Sequence, residues 1–553
     1  MCGIWALLSK KDITDFGVLY EAFMTIKNRG PEYSSFDLVN ARTLIGFHRL
    51  AIMDMTAEGN QPFKYVRKDG SCVYCICNGE IYDFEFLKQE YGISTKSHSD
   101  CEVIIPLYEK IGFEKMMPLL GSEFACMVVD ISKEGRTKVF VGRDPVGIRP
   151  LFFSVGKDHE TLCISSEMKG LSALYKEVNV FPPGHFLKFD DSIDAKVKIE
   201  SYFSYTFPKF LVTDATKEDL LKGIRMQFEE SVKKRMITDR PYGCLLSGGL
   251  DSSLVCSVAK RYSINDKPFP VFTISFEEGG TDLPYAKRVA EFLELDHTSF
   301  LVTKKEALEI IPETIYAIES WDVTTVRASV MQMLLGKRIK QETNIRVLMV
   351  GEVSDEIFMG YLYGHYAPSM EEAQADRIER VKDVHRFDGA RTDRTMAWNG
   401  LEVRTPFGDS KFVDYTLSIP AEHVVPQNGV EKSLLREAFR VNEGEKPYLP
   451  DDVLFRRKEA FSDAVSADKK GESWYETIQQ YVEEIITDEE FESNKGSFEW
   501  CPPETKEAYY YRKIFTSHFG EGNGKSKVIP YLWMPKWTDA CDPSARTLTV
   551  YNK

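Results

Sequence analysis

Three observations predict an α/β protein of two domains. An alternating strand ends in Asn78-Gly79 in the first half, two strand, glycine-turn, helix patterns follow in the second, and the pattern weakens between them. At 553 residues, 43% hydrophobic and 28% charged, the chain can bury large cores. At roughly 100–200 residues per domain, that length allows two large domains or three to four small ones. Motif content favours two, 1–205 and 206–553. The boundary follows the charged pair Asp190-Asp191 and an aromatic run at Tyr202, Phe203, Tyr205 and Phe207.

The chain opens Met1-Cys2-Gly3-Ile4-Trp5. Removal of Met1 would place a thiol and a free α-amine on one residue. An α-amine titrates near ~8 and is suited to accept the thiol proton, directly or through one water. A cysteine at position 2 is usually an accident when it stands alone, but here three stretches accompany it. Arg49-Leu50-Ala51-Ile52 is strand-like, Asn78-Gly79-Glu80-Ile81-Tyr82 ends an alternating strand, and Ser99-Asp100-Cys101-Glu102 opens an apolar helical pattern. Attack on a carboxamide creates an oxyanion, for which the Asn78 side chain and the Gly79 N–H are suitable donors. Arg49 suits a bidentate grip on a glutamine α-carboxylate, with Leu50 and Ile52 in the same substrate stretch, while Glu80 and Asp100 suit its α-ammonium. Taken singly, these residues are more often surface groups or helix N-caps.

With Gly142-Arg143-Asp144-Pro145-Val146-Gly147-Ile148-Arg149-Pro150-Leu151-Phe152, Ser165-Ser166-Glu167 and Pro182-Pro183-Gly184, this half resembles the glutaminase domain of class II amidotransferases. The resemblance implies a four-layer α/β/β/α sandwich of the N-terminal-nucleophile (Ntn) hydrolase type. It also implies that Cys2 forms a glutamyl thioester and releases ammonia.

In the second half, Tyr242-Gly243-Cys244-Leu245-Leu246-Ser247-Gly248-Gly249-Leu250-Asp251-Ser252-Ser253 runs from an apolar strand through a glycine turn into a helix. Glycines let backbone N–H groups approach phosphate oxygens, and the helix presents its positive end. The stretch resembles the pyrophosphate loop of ATP pyrophosphatases and lacks the Gly-Lys-Ser/Thr of a Walker A loop. The resemblance implies a doubly wound parallel sheet and release of AMP and pyrophosphate. It puts Leu245, Ser247, Gly248, Gly249, Asp251 and Ser252 on the nucleotide.

A second such unit is Arg346-Val347-Leu348-Met349-Val350-Gly351-Glu352-Val353-Ser354-Asp355-Glu356. Its acids would suit a helix first turn. Functionally, Asp251 and Asp355 would hold magnesium on the ATP phosphates, Glu352 would handle protons of ammonia or its adduct, and Val350, Gly351 and Ser275 would adjoin the nucleotide.

Five further pieces are Asp322-Val323-Thr324-Thr325-Val326-Arg327-Ala328-Ser329, Glu402-Val403-Arg404-Thr405-Pro406-Phe407, Arg456-Arg457-Lys458-Glu459-Ala460-Phe461-Ser462-Asp463, Trp533-Met534-Pro535-Lys536-Trp537 and Asp542-Pro543-Ser544-Ala545-Arg546. Together these make nearly the whole chain resemble the glutamine-hydrolysing asparagine synthetase family. The resemblance implies attack of an aspartate β-carboxylate on ATP and capture of β-aspartyl-AMP by ammonia. It places Thr324 and Arg327 against substrate or pyrophosphate, has Lys458 stabilise charge on the transferred phosphate, and implies a passage between the sites and a homodimer.

Departures from the family pattern fall at Val350 and Val353, where serine and glycine are usual, at Ser275 for glycine, at Gly408 for leucine, and at Glu123, where an apolar residue is common. Valine resists a positive φ. At an ammonia passage, Glu123 would hinder ammonia or favour ammonium. These departures motivate a catalytically weakened regulatory homologue as one alternative. A β-lactam-synthetase-like enzyme acting on another carboxylate is a second, whereas a free-standing glutaminase would leave the second half without a purpose.

No run approaches the ~18 apolar residues of a membrane span, and no signal peptide is evident, which suggests the cytoplasm and no membrane partner. A net charge of −15 argues against a nucleic-acid surface. Eleven cysteines without a secretion signal imply reduced thiols. Cys72, Cys75 and Cys77 lack a second ligand pair and fit a buried strand, and the nine histidines show no ligand spacing. Helices are expected over 371–386, its charges forming a solvated face, and over 474–486, with Ile478, Tyr481, Val482 and Ile485 inward. The glycine- and lysine-rich stretch 520–527 is expected to be mobile.

Overall fold

A computed structural model describes every residue except 158–159, 191–196, 206–215, 264–266, 443, 468–470, 521–523 and 553. The first half is built on β1 (Gly3–Ser9), β2 (Tyr33–Asn40), β3 (Thr43–Arg49), β4 (Phe63–Val66), β5 (Cys72–Glu80), β6 (Glu123–Ile131), β7 (Thr137–Arg143), β8 (Phe152–Val155), β9 (Thr161–Ser165), β10 (Asn179–Val180), β11 (His185–Asp190) and β12 (Lys198–Ser201). They form two six-stranded sheets, ordered β10-β8-β9-β1-β3-β2 and β12-β11-β7-β6-β5-β4.

Alternation along each strand assigns its side chains to two layers. Ile4, Ala6 and Leu8 of β1 meet Ile76 of β5 and Ala125, Met127 and Val129 of β6 between the sheets. Trp5 and Leu7 face the other way, onto Phe23 of the helix Phe16–Met24 and Leu171 of the helix Lys169–Ser172. On the outer face of the second sheet, Val73, Cys75 and Cys77 pack on Phe84, Leu87, Ile104 and Leu107 of the helices Phe84–Tyr91 and Ile104–Ile111. The result is the expected α/β/β/α sandwich.

The second half has one five-stranded sheet, ordered β15-β14-β13-β16-β17, from β13 (Tyr242–Leu245), β14 (Pro270–Phe276), β15 (Asp296–Val302), β16 (Val347–Met349) and β17 (Glu402–Arg404). All four pairings are parallel. The helices Lys217–Arg235 and Leu250–Tyr262 cover one face through Phe228, Leu254 and Val258, and Val323–Glu342 covers the other through Val326 and Val330. Chain order runs away from β13 in both directions, so the crevice at the carboxyl ends of β13 and β16 is the topological switch point where such folds bind ligands.

One apolar core runs on from Trp5 and Phe23 to Ile318 and Val330, joining the two halves. Three local expectations need correction. The predicted helix over 371–386 is Met370–Asp383 with a short 3₁₀ turn after it, but Asp376, Arg377 and Arg380 are buried and not solvated. Arg377 donates to the carbonyls of Ile357, Thr416 and Ile419, while Arg380 pairs with Asp376 at 3.2 Å, so the charges are satisfied internally. In the helix Trp474–Ile485, Ile478 and Val482 are buried, but Ile485 is 44% exposed because it closes the last turn. Part of the tail expected to be mobile is anchored: Lys525 is buried, and its Nζ donates to the carbonyls of Ser172 and Phe519 at 2.8 and 2.9 Å. Residues 521–523 of that tail lie outside the described residues, as does Phe207.

Candidate active sites

The first site forms where β1, β3 and β5 meet. The backbone N–H of Cys2 donates to Asn78 Oδ1 at 3.0 Å, and the thiol lies 3.7 Å from the Leu50 carbonyl. Asn78 Nδ2 is buried without a partner. An orphaned buried donor is costly unless a ligand satisfies it, as an oxyanion would. Next to it, Gly79 has φ +151, and a Cβ there would lie 2.1 Å from the Glu123 carbonyl oxygen. Only glycine fits. Burial pushes the Cys2 thiol up to about 11 while Met1 is in place.

Arg49, Glu80 and Asp100 surround the same region. The Arg49 guanidinium donates to the Thr56 carbonyl and to Asn60 Oδ1, both at 2.7 Å, and Asp100 Oδ2 accepts from the Ile81 N–H at 2.6 Å. Burial, together with Glu402 and Asp100, holds Glu80 well above the ordinary carboxylate range even though Arg404 stands 3.1 Å away. Leu50 and Ile52 pack on Val347 of β16, at the join between the halves.

The second half supplies groups to this site that sequence reasoning did not assign. Glu402 Oε2 lies 3.3 Å from the Met1 ammonium. Burial opposes its ionisation, but that ammonium and Arg404 hold its carboxyl at about 2. Glu402 and Arg404 stand in a quoted motif, and nothing in the local sequence says that they reach the other domain.

The second site is a cavity of about 150 Å³ at the ends of β13 and β16. Leu245, Ser247, Gly249, Asp251, Ser252, Gly351, Glu352, Asp355 and Lys458 line it. The first loop is tied to itself: Gly249 N–H donates to Ser247 Oγ at 3.1 Å, and the Ser247 and Ser252 hydroxyls bond at 3.0 Å. Gly248, between them, has φ +81, and a Cβ there would meet the Ala286 amide nitrogen at 2.4 Å.

Asp251 and Asp355 converge on the same pair of lysines. Lys432 Nζ stands 2.7 Å from Asp251 Oδ2 and 2.6 Å from Asp355 Oδ1, and Lys458 Nζ is 2.6 Å from Asp355 Oδ2. Lys458 Nζ also lies 3.9 Å from Asp251 Oδ2, so both lysines face both carboxylates, and two carboxylates converging beside the cavity are the kind of oxygen donors that magnesium takes. Lys432 has no sequence signal, since it precedes the helix Ser433–Ala438 in no recognisable charge pattern. Glu352 also lines the cavity, where Gln332 Nε2 and Thr392 Oγ1 donate to it at 3.0 and 2.9 Å.

Five predicted residues do not line the cavity, and Gly248 of the first loop is one of them. Ser275 Oγ donates to the Val465 carbonyl at 3.3 Å, and Val350 is buried behind Gly351. Thr324 Oγ1 is buried without a partner. Arg327 is held at 2.7 Å by both Glu507 and Asp542. As for the departures, Val353 does take a positive φ, +79, and a Cβ on Gly408 would meet Ile148 Cδ1 at 2.9 Å and Thr405 Oγ1 at 3.0 Å, so a larger residue there would require Ile148 to shift.

A thiol beside an unsatisfied amide donor in one domain, and a glycine loop beside paired carboxylates in the other, define a two-site amidotransferase that activates its acceptor with a nucleotide. A glutamine amidotransferase domain model matches residues 1–180, and an asparagine synthase model matches 223–386 and 371–539. The chain is 39% identical over 573 residues to asparagine synthetase [glutamine-hydrolyzing] of Mus musculus, 39% over 574 to that of Gallus gallus and 38% over 579 to that of Homo sapiens. Each match covers 100% of this chain and 99% of the relative. The chain belongs to the glutamine-hydrolysing asparagine synthetase family. Full-length matches of this kind do not favour the alternatives of another carboxylate acceptor or a regulatory homologue.

Proposed function

We propose that the chain makes asparagine from aspartate, glutamine and ATP, with residues 1–205 as glutaminase and 206–553 as synthetase. The observation that carries the synthetase half is the convergence of Asp251 and Asp355, from two separate strand, turn, helix units, on one point beside the cavity.

With Met1 removed, the Cys2 thiol gives its proton to its own α-amine and attacks the glutamine carboxamide. Asn78 Nδ2 and the Gly79 N–H hold the oxyanion; the α-ammonium returns its proton to the leaving nitrogen, and collapse expels ammonia and leaves a thioester that water hydrolyses to glutamate. Arg49, Glu80 and Asp100 orient the amino acid. In the second domain the aspartate β-carboxylate attacks the α-phosphorus of ATP, giving β-aspartyl-AMP and pyrophosphate. Ammonia displaces AMP, and Glu352 takes a proton from the adduct. The glycine loop binds phosphate oxygens, and Lys458 offsets the charge that builds as pyrophosphate leaves. Magnesium, held by Asp251 and Asp355, would supply charge neutralisation on the phosphates. Free ammonia would be protonated in water, so the reading includes a passage between the sites. It takes the cytoplasm as location and a homodimer as assembly, with no nucleic-acid or membrane partner. A net charge of −15, and the absence among the described residues of a helix long and apolar enough to cross a membrane, support the last two.

The test incubates the Met1-processed protein with aspartate, ATP and magnesium, plus glutamine or ammonium, and quantifies asparagine, glutamate and AMP. Equal asparagine and AMP are expected from both nitrogen sources, and Cys2→Ala should lose only the glutamine reaction. Absence of AMP with either source would overturn the synthetase reading.

A further inference from the structure

Glu123 opens β6 directly opposite Glu80 of β5. Its carbonyl oxygen and the Phe124 Cα lie 2.1 and 2.6 Å from where a Gly79 Cβ would stand, so this backbone is one wall of the oxyanion cradle. The side chain is 1% exposed and points out of its own domain. Oε1 accepts from Arg235 Nε at 2.7 Å and from both the N–H and the hydroxyl of Thr405 at 3.1 Å. Oε2 accepts from Arg149 Nη2 at 2.9 Å.

These partners are fixed in turn. Arg235 ends the helix Lys217–Arg235 and is held by Asp409 at 3.1 Å. Thr405 follows β17, where the Arg404 carbonyl accepts from the Val350 N–H at 3.1 Å, immediately before the cavity-lining Gly351-Glu352. A short chain of hydrogen bonds therefore runs from the nucleotide loop through Thr405 to Glu123, whose backbone packs directly against Gly79. An apolar side chain at 123 would pack but could accept none of these bonds. It would leave Arg235 with less of its buried counter-charge, the kind of loss that is strongly destabilising.

We propose that Glu123 is a positioning residue for the glutaminase site, held in place by the second domain, which sets the Gly79 amide that receives the oxyanion. The proposal rests on the glutaminase reading above. It assigns a role to the charge that departs from the family pattern at this position: Glu123 orders the cradle.

The experiment measures kcat and KM for glutamine hydrolysis without ATP or aspartate, and ammonium-dependent asparagine formation, for the full chain, Glu123→Gln and Thr405→Val. Glu123→Gln should lower glutaminase kcat about tenfold, less than the 10²–10³ that loss of a whole oxyanion donor costs. KM and the ammonium reaction should stay within about twofold. Thr405→Val, which removes one donor to Oε1, should move glutaminase kcat the same way by about threefold and serves if Glu123→Gln fails to fold. Unchanged kcat in both variants, or an equal fall of glutamine and ammonium reactions, would overturn the proposal. Retained glutamine hydrolysis in Cys2→Ala would instead overturn the reading beneath it.

Discussion

Val353 sits at φ +79 with its side chain 1% exposed, between Glu352 and the helix Ser354–Ile357. A left-handed conformation costs a residue with a Cβ about 1–2 kcal/mol, whereas glycine is free of that cost but loses about 0.5–1 kcal/mol more chain entropy on folding. Burial works in the opposite direction, because the isopropyl group packs with Ile357 and Phe358. Comparing two truncations separates the terms, since Val353→Ala and Val353→Gly both remove the isopropyl group and only alanine keeps the strain. Val353→Gly is expected to be the more stable of the two by about 1 kcal/mol, the reverse of the usual order in a helix. Urea unfolding midpoints check this, and an alanine variant at least as stable as the glycine one would contradict it.

At the scale of elements, the second site is made where strands end and helices begin. The helix Val323–Glu342 illustrates how its start is held: Asp322 is the N-cap, accepting from the Thr325 N–H at 2.9 Å and the Thr325 hydroxyl at 2.8 Å. Burial nevertheless pushes the Asp322 carboxyl up to about 6, against those hydrogen bonds. An acid raised above its unfolded value near ~3.9 stabilises the fold fully below that value, and this contribution is lost as pH rises through about 6. Asp322→Asn keeps a good cap and cannot ionise. Thermal unfolding should therefore show the variant gaining on the parent between pH 4 and 7, by on the order of 2 kcal/mol, and parallel curves would refute it. The parallel sheet acts on the same scale: β13 and β16 are neighbours in register, Cys244 beside Met349, so Asp251 and Asp355 reach one point although far apart along the chain.

Across the whole molecule, the join between the halves is ionic as well as apolar. Arg29 pairs with Asp393 at 2.7 Å, Glu123 with Arg235 at 2.7 Å and Lys169 with Glu319 at 3.2 Å, each pair crossing from the first half to the second and buried. Removing one member of such a pair leaves a desolvated charge, which costs about 3–5 kcal/mol. A fragment of residues 1–205 would lose all three partners and the second half's share of the common core. Expressed alone it is expected to lack a cooperative thermal transition and to bind a hydrophobic dye, and coexpression with 206–553 should restore a soluble pair. A sharp melt of the lone fragment would show that the halves are independent.

Features that depend on a few adjacent residues were legible in the sequence alone. The two glycine turns, the strand carrying Cys72, Cys75 and Cys77, the helices near 370 and 474, and the α/β class all follow from local backbone geometry and side-chain periodicity. Candidates for the first site could be proposed for the same reason, because Cys2, Asn78 and Gly79, which the fold brings together, sit in short stretches with recognisable chemistry. Only the tertiary structure decided where charges find their partners. It put Lys432 between Asp251 and Asp355, held Arg327 between Glu507 and Asp542 away from the cavity, buried Arg377, tied down Lys525 and joined Glu123 to Arg235. An ion pair depends on separation in space and on the exclusion of water, and neither is a function of distance along the chain.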